Sequence, residues 1–330
     1  MLRQVLPLFF SFFCVLSSAL AQEVPETREI PEYPSDSAEA WLSKMATAIK
    51  NLNYNISFVL LKPGVDSQPY LWRHGVGPDG IEMEQLDLLN GPGRTVLRIG
   101  DKVSYFEPDF PPYSLRSSTI NGPFPSEFFQ YPQMLRDSYD FVMVGRSRVS
   151  GRPAQHIRVV SKDKSRFGLN VWLDQETGLL LKMNMVDLKG EFLEQIQVTA
   201  IDVTEEADPF FAKIEQAMLP DVLNMRPNTS LKPKWRINYL PVGMRQVKLD
   251  VHRLPLTGET VEYIMLSDGL VDVSIYIQDV SLQSPSQNVL LRHESDTLLT
   301  RRQGTVDVTV VGKLPPQTAN SIVTSIKLAN

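Results

Sequence analysis

Between Asn55 and Val203 the chain is a succession of short runs rich in apolar and β-branched residues, each broken by Gly, Pro, Asn or Asp. Ile56–Leu61, Pro69–His74, Ile81–Leu88, Thr95–Ile99 and Val103–Phe106 form a first group. Phe141–Val144, Ala154–Ser161, Leu169–Leu173, Leu179–Met185 and Phe192–Val203 form a second. Runs of this length, bounded by turn residues, are strands. No helical pattern alternates with them, so a parallel α/β fold is excluded and the strands must pair antiparallel. Asp174–Gly178 joins two of the runs as a hairpin turn. One amphipathic helix precedes the series. Ala38, Trp41, Leu42, Met45, Ile49 and Leu52 fall on one helical face, with Asp36 as expected N-cap and Glu39 at capping-box spacing. The expected fold class is α+β, mostly β: one large curved antiparallel sheet of about ten strands around a helix, followed by a smaller unit.

The helix and sheet must hold without covalent help. Cys14 is the single cysteine of the chain, and it lies in a segment expected to be removed. Arg3 gives a positive start, Val5–Leu20 is almost wholly apolar, and Ala19-Leu20-Ala21 ends the run with small residues. This is the layout of a secretory signal, residues 1–21, too short for a stable membrane span. With it gone the chain has neither thiol nor disulfide, and cysteine nucleophiles and cysteine metal sites are excluded. The formal charge of −5 argues against bulk nucleic-acid binding.

Three further divisions follow. Residues 22–206 hold a polar entry arm, the helix and the large sheet. Residues 207–233 break the strand rhythm with Pro220, Pro227 and Pro233 and read as a linker, with a short helix over Phe210–Leu219. Residues 234–330 form a small sheet-and-helix domain. Its strands are Val247–Leu254, Val261–Ser267, Val271–Ile277, Val289–Arg292, Leu298–Arg301 and Val306–Val311, and its helix follows Pro315-Pro316.

Catalytic signatures are missing. The sequence has no nucleophile elbow, P-loop, dinucleotide fingerprint or His-Glu-x-x-His pair, and its four histidines are far apart. No cofactor or metal is expected. Glu82 and Glu84 alternate with apolar neighbours and are expected on a solvated sheet face. Pro108–Tyr131, rich in Pro and aromatic residues, is expected to be a long loop. Trp72, Phe106, Phe128, Phe129, Trp172 and Phe192 admit two accounts: they fill the core, or some of them line an apolar concavity suited to acyl chains. Arg236, Arg245, Lys248, Arg253, Arg292, Arg301 and Arg302 likewise admit two: protection of strand edges, or a surface facing an acidic peptide or lipid phosphates.

Several longer motifs bear a resemblance. Gly151-Arg152-Pro153-Ala154 and Leu169–Asp174 running into Thr177-Gly178-Leu179 lie in the first domain. Leu240–Met244, Leu266–Ile275 and Val308–Pro315 lie in the second. Together they resemble the MucB/RseB family of periplasmic regulators of the sigma-E envelope-stress response, with Met244 where an aromatic is expected. The resemblance implies a half-open, LolA/LolB-like barrel crossed by a helix, plus the smaller domain. It implies a periplasmic protein that binds the periplasmic region of a membrane-bound anti-sigma factor and shields it from site-one proteolysis. It also implies release by lipopolysaccharide or another lipid amphiphile. A periplasmic lipid or lipoprotein carrier is the alternative, and an enzyme is a third. A homo-oligomer is left open.

Overall fold

A computed structural model of the chain describes residues 34–214, 216–223, 234–253, 260–280 and 288–329. The expected signal segment and entry arm lie outside the described residues up to Tyr33, as does the linker from 224 to 233.

Helix α1 spans Ala38–Asn51 and buries Ala38, Leu42, Met45, Ala48 and Ile49. Ser37, not Asp36, caps it. Its backbone is extended and its hydroxyl accepts from the Ala40 amide at 3.1 Å. Asp36 stands one residue too early for that bond, so Glu39 sits in the first turn, where the helix dipole favours an acid. Strands β1 (Asn53–Leu61), β2 (Gln68–Val76), β3 (Glu82–Leu88), β4 (Arg94–Ile99), β5 (Lys102–Phe106) and β6 (Tyr113–Arg116) follow as a meander. Helix α2 (Ser126–Gln130) and a 3-10 turn (Pro132–Asp137) come next. A second meander is β7 (Tyr139–Val149), β8 (Arg152–Ser161), β9 (Gly168–Asp174), β10 (Leu180–Val186) and β11 (Phe192–Thr204).

Pairing of β1 with β11 joins the meanders into one 11-stranded antiparallel sheet, ordered β6-β5-β4-β3-β2-β1-β11-β10-β9-β8-β7. This is the half-open barrel that the family resemblance implies: β6 and β7 are its two edges and do not pair. The stretch 117–138 spans that gap. What reads as a long loop therefore contains a strand and a helix, because Phe124, Phe128, Phe129 and Leu135 must enter the core with α1 to close the open side. Inward residues of β1 alternate strictly as Tyr54, Ile56, Phe58 and Leu60. At the 174–178 hairpin, Gly178 has φ +85, and a Cβ there would stand 2.8 Å from Lys44 Cγ of α1. Lys44 Nζ donates to the Gln175 carbonyl at 2.7 Å, tying helix to turn.

The expected helix over Phe210–Leu219 shrinks to α3 (Pro209–Ala212) and a 3-10 turn (Gln216–Met218). Asp208 caps α3 by accepting from the Phe210 amide. The chain then crosses to the free edge of β6. There Leu223 N donates to Ser114 O and Ser114 Oγ to Pro220 O, which masks open backbone groups.

The smaller domain contains β12 (Trp235–Ile237), β13 (Arg245–Arg253), β14 (Thr260–Ser267), β15 (Asp272–Asp279), β16 (Val289–His293), β17 (Asp296–Gln303) and β18 (Val306–Gly312), then α4 (Pro316–Ser325) and β19 (Ile326–Leu328). Six strands run β13-β14-β15-β18-β17-β16, and β12 pairs with β19 alongside. Ile264, Leu266, Val273, Ile275, Val308 and Val310 pack against Ala319, Ile322 and Val323 of α4. Leu270 packs against both cores.

Glu84 departs from expectation, while Glu82 stays partly exposed at the start of β3. The register sets Tyr54, His74, Glu84 and Arg98 side by side across β1, β2, β3 and β4. All four are buried. Arg98 Nε reaches Glu84 at 2.5 Å and Arg98 Nη2 reaches Glu82 at 2.8 Å. An acid can face the interior here because a base on the next strand compensates it. Alternation alone assigns the residues to one face without saying which way that face looks. Arg98→Met should cost about 3–5 kcal/mol by stranding Glu84, read from urea unfolding, and the double variant Arg98→Met/Glu84→Gln should regain most of it.

His74 is held in the same row. Its Nδ1 lies 2.7 Å from the Leu52 carbonyl, and its ring stacks on Tyr54 at 5.0 Å. Burial holds its pKa below the ordinary histidine value, against opposing pulls from Glu84 and the Leu52 carbonyl. A histidine lowered on folding contributes stability above its unfolded pKa, about 6.5, and that stability is lost as pH falls toward the folded value. The urea midpoint should therefore fall between about pH 7.5 and about pH 5.5, and fall less in His74→Gln.

Candidate binding site

The two sheets meet along a seam built from short loops. Between β8 and β9, Asp163 Oδ1 accepts from Ser161 Oγ, Ser165 Oγ and Ser165 N, while Oδ2 accepts from Val242 N at 2.8 Å. Burial would raise the Asp163 pKa, but the hydrogen bonds from Ser165, Ser161 and Val242 outweigh it and hold the carboxyl well below its ordinary range. Beside it Arg166 is fully buried. Its Nε lies 3.1 Å from Asp268 Oδ2, and its Nη2 donates to Val242 O at 2.7 Å. Tyr139 donates to the same Asp268 oxygen at 2.8 Å and accepts from Arg166 Nε. Burial, then Asp268, pushes the Tyr139 phenol well above its ordinary value, so it remains a donor. Asp268 Oδ1 accepts from the Leu270 and Val271 amides. Gly243, at φ +78, comes so close to Ser138 that any Cβ would collide with its hydroxyl. Thr318 Oγ1 donates to Ser165 O at 2.8 Å.

A second set of contacts lies nearer the sheet edge. Glu194 on β11 accepts from Lys313 Nζ at 2.7 Å and from Ser295 Oγ at 3.1 Å. Lys62, just past β1, pairs with Glu294 at 2.5 Å.

Between these contacts the seam opens into a cleft of about 480 Å³. Tyr105, Ile120, Phe124, Leu169, Met183 and Met185 line it from the large sheet and its covering segment, Leu270 and Val271 from the small one. Charged residues on it are Glu127, Glu194, Asp272, Asp296 and Lys313. A second hollow, about 490 Å³, is lined by Tyr131, Met134, Leu135, Ser138, Gly243, Arg245 and Asp268. Ser117, Thr119, Glu127 and Gly269 line both, so the two make one trough. Burial and the neighbouring Asp272 hold the Glu127 pKa above its ordinary value, and Arg245 only partly opposes them.

The aromatic set named from sequence is not gathered at the trough. Trp72, Phe128 and Phe129 are core residues, and Phe106 is half-buried at the end of β5. Trp172 alternates with buried Val171 and Leu173, so it faces outward, stacked on His156 at 4.1 Å under Lys182. Phe192 is exposed. Strand alternation could have found better candidates. Tyr105 rather than Phe106 faces inward on β5, and Met183 and Met185 share the inner face of β10.

The basic residues are also dispersed. Arg236 lies on β12, and Arg245 and Lys248 lie on edge strand β13, with Lys248 over the Tyr263 ring. Arg292 lies on the opposite edge strand, over the Phe167 ring. Arg301 and Arg302 are on β17, where Arg302 pairs with Asp307 at 2.5 Å. The Arg253 side chain lies outside the described residues. Sequence proximity does not become one basic patch, because β13 and β16 are the two outer strands of the sheet. Among the described residues no helix is long and apolar enough to cross a membrane, and no three acidic, His or Cys side chains stand close enough to hold a metal ion.

A half-open sheet whose mouth is roofed by a second sheet, with an apolar-floored, polar-rimmed trough at the seam, has the architecture of a two-part binding module. Family models agree: the MucB/RseB N-terminal domain matches residues 37–223 and the MucB/RseB C-terminal domain residues 229–327. The sigma-E factor regulatory protein RseB of Salmonella typhimurium is 35% identical over 290 residues, 87% of this chain and 90% of the relative. The sigma factor AlgU regulatory protein MucB of Pseudomonas aeruginosa is 29% identical, covering 90% and 93%. The solved MucA/MucB complex of Pseudomonas aeruginosa superposes with a TM-score of 0.72 at 25% identity, covering 89% of this chain and 99% of that one. A crystal structure of MucB superposes at 0.55, also at 25% identity, covering 88% and 98%. The chain belongs to the MucB/RseB family.

The seam should behave as a single clamp. Asp268→Asn keeps the shape but strands a buried guanidinium, at a cost of about 3–5 kcal/mol. Urea unfolding should show that loss, and small-angle scattering should show a larger radius of gyration as the sheets part. An unchanged radius and midpoint would mean that the clamp lies elsewhere.

Proposed function

We propose that this chain is a periplasmic negative regulator of an envelope-stress sigma factor. It binds the periplasmic region of a membrane-bound anti-sigma factor, keeps that region from the site-one protease, and lets go when lipopolysaccharide or another amphiphile competes. The observation that carries the proposal is the trough. It is open, has an apolar floor and a polar rim in about equal measure, and is assembled from both sheets, so one bound segment touches both and is covered along its length. The names of the relatives, sigma factor regulators, support the same reading. So does the close superposition on a MucB relative solved with MucA. Release by an amphiphile follows from the floor. Acyl chains gain roughly 0.8 kcal/mol for each CH₂ buried against Ile120, Phe124 and the two methionines, and so compete with apolar side chains of a peptide.

No step in this reading requires chemistry on the partner; occlusion is enough. A carrier for lipids or lipoproteins would use the same floor but has no need of the small sheet clamped across it. The experiment is a protection assay. The purified chain is mixed with the recombinant periplasmic domain of its cognate anti-sigma factor and the site-one protease. Cleavage should slow by about tenfold or more and recover on adding lipopolysaccharide. Undiminished cleavage at saturating protein would overturn the proposal. Native mass spectrometry of the same mixture would show the complex, and any homo-oligomer, directly.

A further inference from the structure

The rim of the trough is mostly acidic, with Lys313 and Arg245 as basic residues among the carboxylates. Of the carboxylates lining the first cleft, Glu194 is taken up by Lys313 and Ser295. Glu127, Asp272 and Asp296 make no ion pair among the described residues. Neighbouring cations are largely committed. Lys62, near Asp296, is paired with Glu294, and Arg166 is held by Asp268 and Val242. Arg245 lies close enough to Glu127 to be felt but not to pair with it. The rim is therefore an acidic edge above a floor of aliphatic and aromatic carbon.

A second feature lies beneath the floor. The Trp72 indole N–H is buried and has no hydrogen-bond partner. With Ile120, Phe124 and Ser126, which also line the cleft, it borders a small void. A donor left without an acceptor in an apolar interior costs about 1–3 kcal/mol. The void, about 10 Å³, has room for a single water and not for a peptide group; a peptide carbonyl over its mouth can bond such a water, and an acyl chain cannot.

We propose that the trough selects a peptide segment bearing a lysine or arginine beside an aliphatic residue. The cationic head sits on Glu127 and Asp272. The aliphatic stem and the neighbouring side chain lie on Ile120, Phe124 and Met183, and a backbone carbonyl faces the Trp72 side. Long basic side chains suit such a place because their stems are apolar and their heads charged. Charge-assisted bonds to carboxylates are the stronger kind, and like charge at the rim turns acidic segments away. The inference deepens the proposed function and rests on it for the identity of the natural partner, but its chemistry can be tested alone.

Two arms separate the claims. In the first, the full chain is titrated by calorimetry with two synthetic peptides of equal length, one alternating Lys and Leu and one alternating Glu and Leu. Wild type should prefer the basic peptide by about tenfold or more at low salt, with the preference fading as salt rises. Glu127→Gln/Asp272→Asn should abolish it, while Asp79→Asn, an exposed acid far along the sheet, should not. Equal or reversed preference in wild type, or a preference that survives in the double variant, overturns the inference whatever the anti-sigma factor does. In the second arm, the double variant should lose about tenfold in affinity for the anti-sigma periplasmic domain. If the peptide arm succeeds and wild type ignores that domain, the proposed regulator has the wrong partner but the site stands. Circular dichroism of the double variant should match wild type, since Glu127 and Asp272 are both exposed.

Discussion

The buried pair of Arg166 and Asp268 is the interaction on which the arrangement of the two sheets depends. A guanidinium removed from water is tolerable only when its charge is compensated and its donors are filled. Here they are filled from both sides of the seam: Asp268 and the Val242 carbonyl from the small sheet, Tyr139 and Ser165 from the large one. Neither sheet could bury Arg166 alone. The pair therefore fixes the position of one core relative to the other, and Leu270, two residues beyond Asp268, is inserted where both cores can use it. Gly243 opposite Ser138 shows how close the approach is: the contact has room for backbone and hydroxyl and for nothing more.

That geometry gives a physical reason for motifs that stand out in the sequence. Leu240–Met244 supplies the backbone that meets Arg166 and Asp163. Leu266–Ile275 supplies Asp268, Gly269 and Leu270, and Val308–Pro315 supplies the Lys313 that holds Glu194. Thr177-Gly178 is shaped by α1 rather than by the seam. The motifs that carry family resemblance in the second domain are those that dock it on the first. In sequence they look like turns, since a turn residue and a docking residue draw on the same small, polar and glycine-rich set.

Much of the architecture was legible for the same reason that its site was not. Strand alternation is local, and it located the ten longer runs of the large sheet and the six main strands of the small one. Strand β6 escaped because it lies among prolines, and β12 and β19 because they are only three residues long. Direction is not local. The burial of Glu84 depends on Arg98 standing opposite it, and the outward turn of Trp172 depends on which face of β9 meets the core. The basic residues of the second domain are near in sequence and far apart in space because the chain places β13 and β16 at opposite edges.

The trough follows from an unfinished closure. Eleven strands curl around α1 without β6 meeting β7, so an apolar interior is left open along one side. The stretch 117–138 covers part of the opening with Phe124, Phe128 and Phe129, and the small sheet covers more with Leu270 and Val271. Neither cover is complete, and the cavity lies where the two meet. Its walls therefore belong to the large sheet, the covering stretch and the small sheet, so its shape depends on the distance between the sheets. A molecule seated there reads that distance, and anything that loosens the Arg166–Asp268 pair changes the site without touching a single residue of its floor.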